Sequence, residues 1–77
     1  MTITMTAHER FKELREFKGL TQRDVARLVA VHPNTISNFE TQGVEPRGGT
    51  MLRLMALLEV WEREFEEWKR RLGEPFD

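Results

Sequence analysis

Two short helical patterns separated by a break of only two or three residues constrain the fold more than any other feature of this chain. They occupy residues 21 to 40, TQRDVARLVAVHPNTISNFE. Thr21 is a favourable N-cap for the first pattern, and Pro33 suits the first position of the second. Two helices joined so closely cross steeply, which requires a small residue at the crossing and another in the turn. Ala26 and Ala30 occupy those positions, so the stretch predicts two helices connected by a tight turn.

The preceding stretch, residues 6 to 19, is also typical of a helix. It begins with Thr6 and Glu9 at the spacing of a capping box and ends at Gly19, a residue type favoured just past a helix. One side of each predicted helix is apolar and supplies the candidate core: Phe11, Leu14, Phe17, Val25, Leu28, Val29, Ile36 and Phe39.

The second half of the chain adds one loop and further helix. Residues 41 to 49, TQGVEPRGG, contain the breakers that predict a loop, whereas residues 50 to 72 contain neither Gly nor Pro. Residues 2 to 6, TITMT, alternate in polarity but have no second run to pair with. We therefore predict an all-α fold of four or five helices. Whether residues 50 to 72 form one helix or two is left open by the sequence.

Length and composition exclude several classes of protein. Seventy-seven residues provide for one small domain with one modest core. The chain has no cysteine, which excludes disulfides and thiolate metal sites. No apolar run approaches the roughly 20 residues of a membrane span, and the first residues lack the features of a signal peptide. We therefore expect a cytoplasmic protein that needs no cofactor and does not contact a membrane.

Charge is divided unevenly along the chain, although the net charge is only −1. Residues 1 to 53 hold eight Lys and Arg against six Asp and Glu, whereas residues 54 to 77 hold four against seven. The chain is therefore a mildly basic body with an acidic tail. Local charge decides contact with phosphate, so a nucleic-acid partner is compatible with this distribution.

The second helix of the closely joined pair has a polar face without charge. Asn34, Ser37, Asn38 and Thr41 follow the i, i+3, i+4, i+7 spacing of one helix face. Short side chains that both donate and accept hydrogen bonds suit base edges in the major groove of DNA, where Asn pairs bidentately with adenine. The alternative is that these are ordinary solvated helix positions. We favour base reading, because the small and apolar residues of the pair also agree with it.

Residues 10 to 59 resemble the phage Cro/repressor family of helix-turn-helix domains, the xenobiotic-response-element type. The matching segments are LREFKGLTQRDVARLVAV, TISNFE, the PR of the loop and TMLRLMALLEV. The resemblance implies a compact helical domain that binds double-stranded DNA, acts as a dimer on a two-fold operator and regulates transcription. It also implies roles for seven residues. Base reading is expected from Pro33, Asn34, Ser37 and Asn38, and contact with phosphate or the flanking backbone from Gln22, Thr41 and Arg47. We expect His32 to contact phosphate as well, because a histidine can gain charge beside it.

Three residues depart from the pattern of that family. Ala30 replaces the usual glycine of the turn, which costs little only if the backbone avoids positive φ. His32 replaces the usual Ser or Thr cap, so we expect a poor cap and a frayed helix. Pro33 has no donor for a base and offers only apolar contact, such as to a thymine methyl group.

The tail carries a heptad-like seam. Its members recur at steps of four and three: Leu54, Leu58, Trp61, Phe65, Trp68 and Leu72. We predict that residues 1 to 59 form the helix-turn-helix domain and that residues 60 to 77 form a helical extension for dimerisation. The expected contacts between two copies are Leu58, Trp61, Phe65, Trp68 and Leu72. The alternative is a seam that packs on the core of its own chain.

The function expected from these observations is a non-enzymatic transcriptional regulator, a repressor that acts as a homodimer. His8 and His32 are far apart and have no clustered carboxylates, so we expect no metal site. No Ser-His-Asp order and no dinucleotide fingerprint is present. Two alternatives remain: an antitoxin that binds both DNA and a toxin, and an adaptor that uses the same fold to bind proteins without binding DNA.

Overall fold

Four helices account for most of residues 5–73, the part of the chain that the computed structural model describes. They are α1 (Ala7–Phe17), α2 (Gln22–Val29), α3 (Pro33–Gln42) and α4 (Gly49–Leu72). Residues 5–73 contain no strand, which confirms the all-α prediction; most of the TITMT segment lies outside the described residues. The last helix is continuous over 24 residues, so the stretch that the sequence left open is one helix. The boundary predicted at residue 59 falls inside it.

Capping boxes begin both α1 and α2, as their sequences predict. The Thr6 backbone N–H donates to Glu9 Oε1 at 3.1 Å, and the Glu9 N–H donates to the Thr6 hydroxyl at 3.4 Å. In α2 the Thr21 N–H donates to Asp24 Oδ2 at 2.9 Å, and the Asp24 N–H donates to the Thr21 hydroxyl at 3.0 Å. These reciprocal bonds satisfy backbone donors that have no partner inside the helix.

The turn between α2 and α3 departs from expectation at Ala30. This residue has φ 59° and ψ 50°, the left-handed region that favours glycine. The conformation lets the Val31 N–H donate to Ala26 O at 2.9 Å, which closes the end of α2. The Cβ of Ala30 is therefore crowded by its own backbone, a steric cost that is absent at negative φ.

The core collects side chains from all four helices. It contains Phe11, Leu14, Val25, Ala26, Val29, Ile36, Phe39, Leu54 and Trp61. Phe11 lies at its centre, with its ring centroid 5.5 Å from Phe39 and 4.9 Å from Trp61. The prediction that Leu28 and Phe17 belong to the core is wrong, because Leu28 is 60% exposed and Phe17 is 40% exposed. In α2 the small Ala26 is buried beside Val25 and Val29, so the buried side of this helix is centred nearer Ala26 than the sequence suggested.

The C-terminal half of α4 packs along α1. The Arg10 guanidinium donates to Glu62 Oε1 at 2.6 and 2.9 Å, and Lys18 Nζ donates to Glu64 Oε2 at 2.6 Å. The Phe17 ring lies 5.0 Å from Phe65, centroid to centroid. Polar and aromatic contacts therefore both hold the C-terminal half of α4 against α1.

Candidate nucleic-acid interface

The helix α3, which we call the recognition helix, is anchored from one side and open on the other. Ile36 is fully buried and Phe39 is 2% exposed, so both fix the helix against the core. On the opposite side Asn34, Asn38 and Thr41 are exposed. Ser37 and Pro33, the other predicted members of this face, are partly exposed. The structure therefore brings the four predicted base-reading residues together on the accessible part of one helix.

His32 caps the recognition helix, contrary to the prediction of a poor cap. Its Nδ1 accepts a hydrogen bond from the Asn34 N–H at 3.0 Å. Pro33 has no N–H, and the Thr35 N–H donates to His32 O at 2.9 Å. Two donors of the first turn, the N–H groups of Asn34 and Thr35, are therefore satisfied by His32, and the imidazole supplies one of the two acceptors.

The other predicted phosphate contacts come from three parts of the chain. Gln22 is the first residue of α2 and is partly exposed, whereas Arg47 is exposed in the loop before α4. The Thr41 hydroxyl donates to Ser37 O at 2.7 Å. A donor bond from Thr41 to phosphate thus requires this hydroxyl to change partner.

A buried ion pair behind the recognition helix was missed by sequence reasoning. Arg15 of α1 donates to both carboxylate oxygens of Glu40, from Nε at 2.7 Å and from Nη2 at 2.9 Å. Arg15 Nη1 also donates to Leu20 O at 2.7 Å, and Gln22 Nε2 donates to Glu40 Oε1 at 3.1 Å. The hydrogen bonds that Arg15 donates to Glu40 raise the pKa of the Arg15 guanidinium above its ordinary value.

A signal for this pair was present in the sequence. Arg15 lies four residues after Phe11, and Glu40 lies four residues after Ile36. Each charge therefore falls on the apolar face of its own helix. Two opposite charges at such positions indicate a buried pair, because a single buried charge is costly.

Other kinds of site find no support in residues 5–73. None of the described helices is long and apolar enough to cross a membrane. No group of three or more His, Asp or Glu side chains in that range could hold a metal ion.

Two helices joined by a tight turn, the second with an accessible polar face, define the class of helix-turn-helix domains that bind DNA. A family model described as a helix-turn-helix domain matches residues 9–68. The chain belongs to this Cro/repressor-like family, as its motifs predicted. The match extends into α4 beyond the boundary predicted at residue 59. Comparisons with curated proteins and with solved structures gave no match.

Proposed function

We propose that this chain is a sequence-specific transcriptional regulator that represses by occupying a two-fold operator as a homodimer. The observation that carries the proposal is the recognition helix: Ile36 and Phe39 hold its back, and uncharged amides and a hydroxyl stand on its open side. Membership of a helix-turn-helix family supports DNA as the partner. In this proposal the protein is cytoplasmic and is not an enzyme.

Sequence would be read by short side chains in the major groove. Asn34 and Asn38 each carry an amide that can pair bidentately with adenine, and Ser37 can donate to or accept from a base edge. Pro33 would offer apolar contact to a thymine methyl group. The flanking phosphates would be contacted by Gln22, His32, Thr41 and Arg47, which set the register of the helix without reading sequence.

A second copy would supply the other half of the operator. One such domain covers a few base pairs, and a symmetric pair places two recognition helices about 34 Å apart, one turn of DNA. The exposed apolar residues at the end of α4, Trp68 and Leu72, provide a surface for that pairing. The same surface would bind a toxin if the protein were an antitoxin; co-purification of a neighbouring gene product would favour that alternative.

The test begins with duplexes selected from a random library by the wild-type chain. Asn38→Ala should weaken binding to the selected duplex by about 1–3 kcal/mol and leave binding to random duplex nearly unchanged. Arg47→Ala should weaken both and reduce the salt dependence, because it removes a phosphate contact. Fluorescence anisotropy over a salt series measures both effects. Equal losses on the two duplexes from Asn38→Ala would refute base reading, and failure to select any sequence would refute the proposed function.

A further inference from the structure

The carboxylate of Glu40 is an unusual feature of the recognition helix, because its side chain is 0% exposed and three donor groups surround it. Two donors belong to Arg15, which is 10% exposed at its side chain. The third donor is the side-chain amide of Gln22 at the start of α2. One buried acid on α3 thus holds a residue of α1 and a residue of α2.

The chemistry of this contact fixes the orientation of the Gln22 amide. An ionised carboxylate accepts hydrogen bonds and cannot donate, so the NH₂ end of the amide must face Glu40. That NH₂ group has two N–H bonds, and Glu40 Oε1 accepts only one of them. Gln22 is partly exposed, so the second N–H is available to a ligand outside the fold.

The charge of Glu40 does not oppose DNA in this arrangement. Arg15 binds both of its oxygens, and the pair is neutral as a unit. A carboxylate without this partner, placed behind a DNA-reading helix, would repel the phosphates that Gln22 is proposed to contact. Because Arg15 neutralises Glu40, this carboxylate can accept a hydrogen bond from Gln22 without repelling the DNA phosphates.

We propose that Glu40 is a positioning residue for DNA binding: it accepts one N–H of Gln22 and thereby directs the other N–H to a DNA phosphate. The inference rests on the proposed DNA-binding function and adds that the phosphate contact of Gln22 depends on Glu40. Because Glu40 belongs to α3 and Gln22 to α2, the same carboxylate sets the phosphate contact in register with the base-reading face.

A double-mutant cycle tests the proposal on the selected duplex. Gln22→Ala should weaken binding about tenfold in the wild-type chain, the loss expected for one hydrogen bond to a charged group. The second background is Arg15→Met with Glu40→Leu, in which apolar side chains of similar volume replace the ion pair. There, Gln22→Ala should cost less than about twofold, because the amide is no longer oriented. Arg47→Ala is the matched control and should cost the same in both backgrounds.

Each outcome decides the proposal. A tenfold cost of Gln22→Ala that persists in the second background would show that Glu40 does not act through Gln22. If circular dichroism shows that the second background does not fold, Arg15→Leu with Glu40→Met replaces it, because neither side chain can accept a hydrogen bond from the Gln22 amide, and the cost of Gln22→Ala should again shrink. Should the wild-type chain bind no duplex at all, the proposed function fails, and the positioning role fails with it. Binding by the wild type with an unchanged cost of Gln22→Ala overturns the positioning role alone.

Discussion

At the scale of single residues, Ala30 carries a strain that one substitution should relieve. Its φ of 59° lies in the left-handed region, where crowding of Cβ by the backbone costs a non-glycine residue about 1–2 kcal/mol. Ala30→Gly removes this cost, although glycine returns part of the gain through the greater entropy of the unfolded chain. We predict a net stabilisation of about 0.5–1 kcal/mol, measured by thermal or urea unfolding.

The control for that prediction is an Ala→Gly change on ordinary helical backbone. Ala56 is exposed within α4, so Ala56→Gly should destabilise the chain by about 0.5–1 kcal/mol. Opposite signs at the two positions would establish the backbone conformation as the cause. Destabilisation at both positions would mean that Ala30 does not occupy the left-handed region in solution.

His32 leads to a second prediction at this scale, because it already caps the recognition helix. His32→Ala should cost about 1 kcal/mol, the usual value of a lost N-cap, whereas His32→Ser should change stability by less than about 0.5 kcal/mol. Nδ1 accepts from the Asn34 N–H, so the ring proton lies on Nε2. Nitrogen chemical shifts of His32 check this tautomer directly. A clear gain in stability from His32→Ser would restore the expectation of a poor cap.

The sequence predicted the exposed face of the recognition helix better than it predicted the backbone and the buried residues behind that face. The exposed face of the recognition helix follows from periodicity, because uncharged polar residues recur on the side opposite Ile36 and Phe39. The positive φ of Ala30 could not be deduced, since alanine does not signal that conformation. Leu28 was misplaced because the narrow apolar stripe of a short helix allows a rotation of one residue. The Arg15–Glu40 pair was missed because charges are expected at the surface.

At the scale of elements, the capping boxes make helix stability depend on pH. Hydrogen bonds from the Thr6 hydroxyl and backbone lower the pKa of Glu9, and bonds from the Thr21 backbone N–H and hydroxyl lower the pKa of Asp24. A carboxyl group with a lowered folded pKa stabilises the fold above its unfolded pKa, and this contribution is lost as pH falls through the folded value. We therefore expect the helix caps to weaken as the pH falls below the ordinary range of carboxyl pKa values.

The free energy of unfolding should fall as the pH is lowered, and we call this fall the acid limb of the stability curve. Asp24→Asn should make the acid limb less steep, because the amide does not titrate. Thr21→Ala is the matched control: it removes the hydroxyl but keeps the backbone N–H that contributes most to the lowered pKa of Asp24. The acid limb should therefore persist in Thr21→Ala. Urea unfolding at a series of pH values measures both variants. An acid limb of equal slope in Asp24→Asn and wild type would exclude the α2 capping box as a source of this pH dependence.

The sequence predicts a helical α4 but does not predict whether its apolar seam packs within one chain or between two. Its periodicity follows from the seam of large apolar residues and its end from Gly73, whereas the sequence left open whether residues 50 to 72 form one helix or two. The same seam, however, suits the core of one chain as well as the interface between two. Trp61 is 4% exposed and packs on Phe11, and Leu58 and Phe65 pack against the core. Only three-dimensional packing could assign these residues to the monomer.

At the scale of the whole molecule, packing of α4 on α1 buries the seam to different extents along its length. The part from Leu54 to Phe65 stabilises the monomer, with the Arg10 guanidinium 4.9 Å from the centroid of the Phe65 ring. Trp68 is 45% exposed although its ring centroid lies 5.0 Å from that of Phe17, and Leu72 is 59% exposed. The acidic residues Glu62 and Glu64 face α1 through ion pairs. Two acids of α4 are thus neutralised by cations of α1, while Glu59, Glu66 and Glu67 pair with cations of α4 itself.

This difference in burial sharpens the test of the proposed homodimer. Phe65→Ala removes a partly buried ring between α1 and α4 and should lower the stability of the monomer by about 2 kcal/mol. It therefore cannot separate dimerisation from folding. The Trp68 ring also contacts Phe17 of α1, with ring centroids 5.0 Å apart, so Trp68→Ser with Leu72→Ser should lower the stability of the monomer as well, and circular dichroism must show that the double variant is folded. Leu72→Ser alone changes a residue that is 59% exposed and should leave the unfolding midpoint nearly unchanged.

The prediction for the double variant concerns assembly and DNA together. Sedimentation should show a dimer for the wild-type chain and a folded monomer for Trp68→Ser with Leu72→Ser. Because a dimer makes its second DNA contact effectively intramolecular, binding to a two-fold site should weaken by about a hundredfold or more, whereas binding to a single half-site should change little. An unaltered dimer would place the interface elsewhere on the chain. A wild-type chain that is monomeric at micromolar concentration, both free and on a two-fold site, would refute the homodimer and leave a regulator that binds one half-site alone.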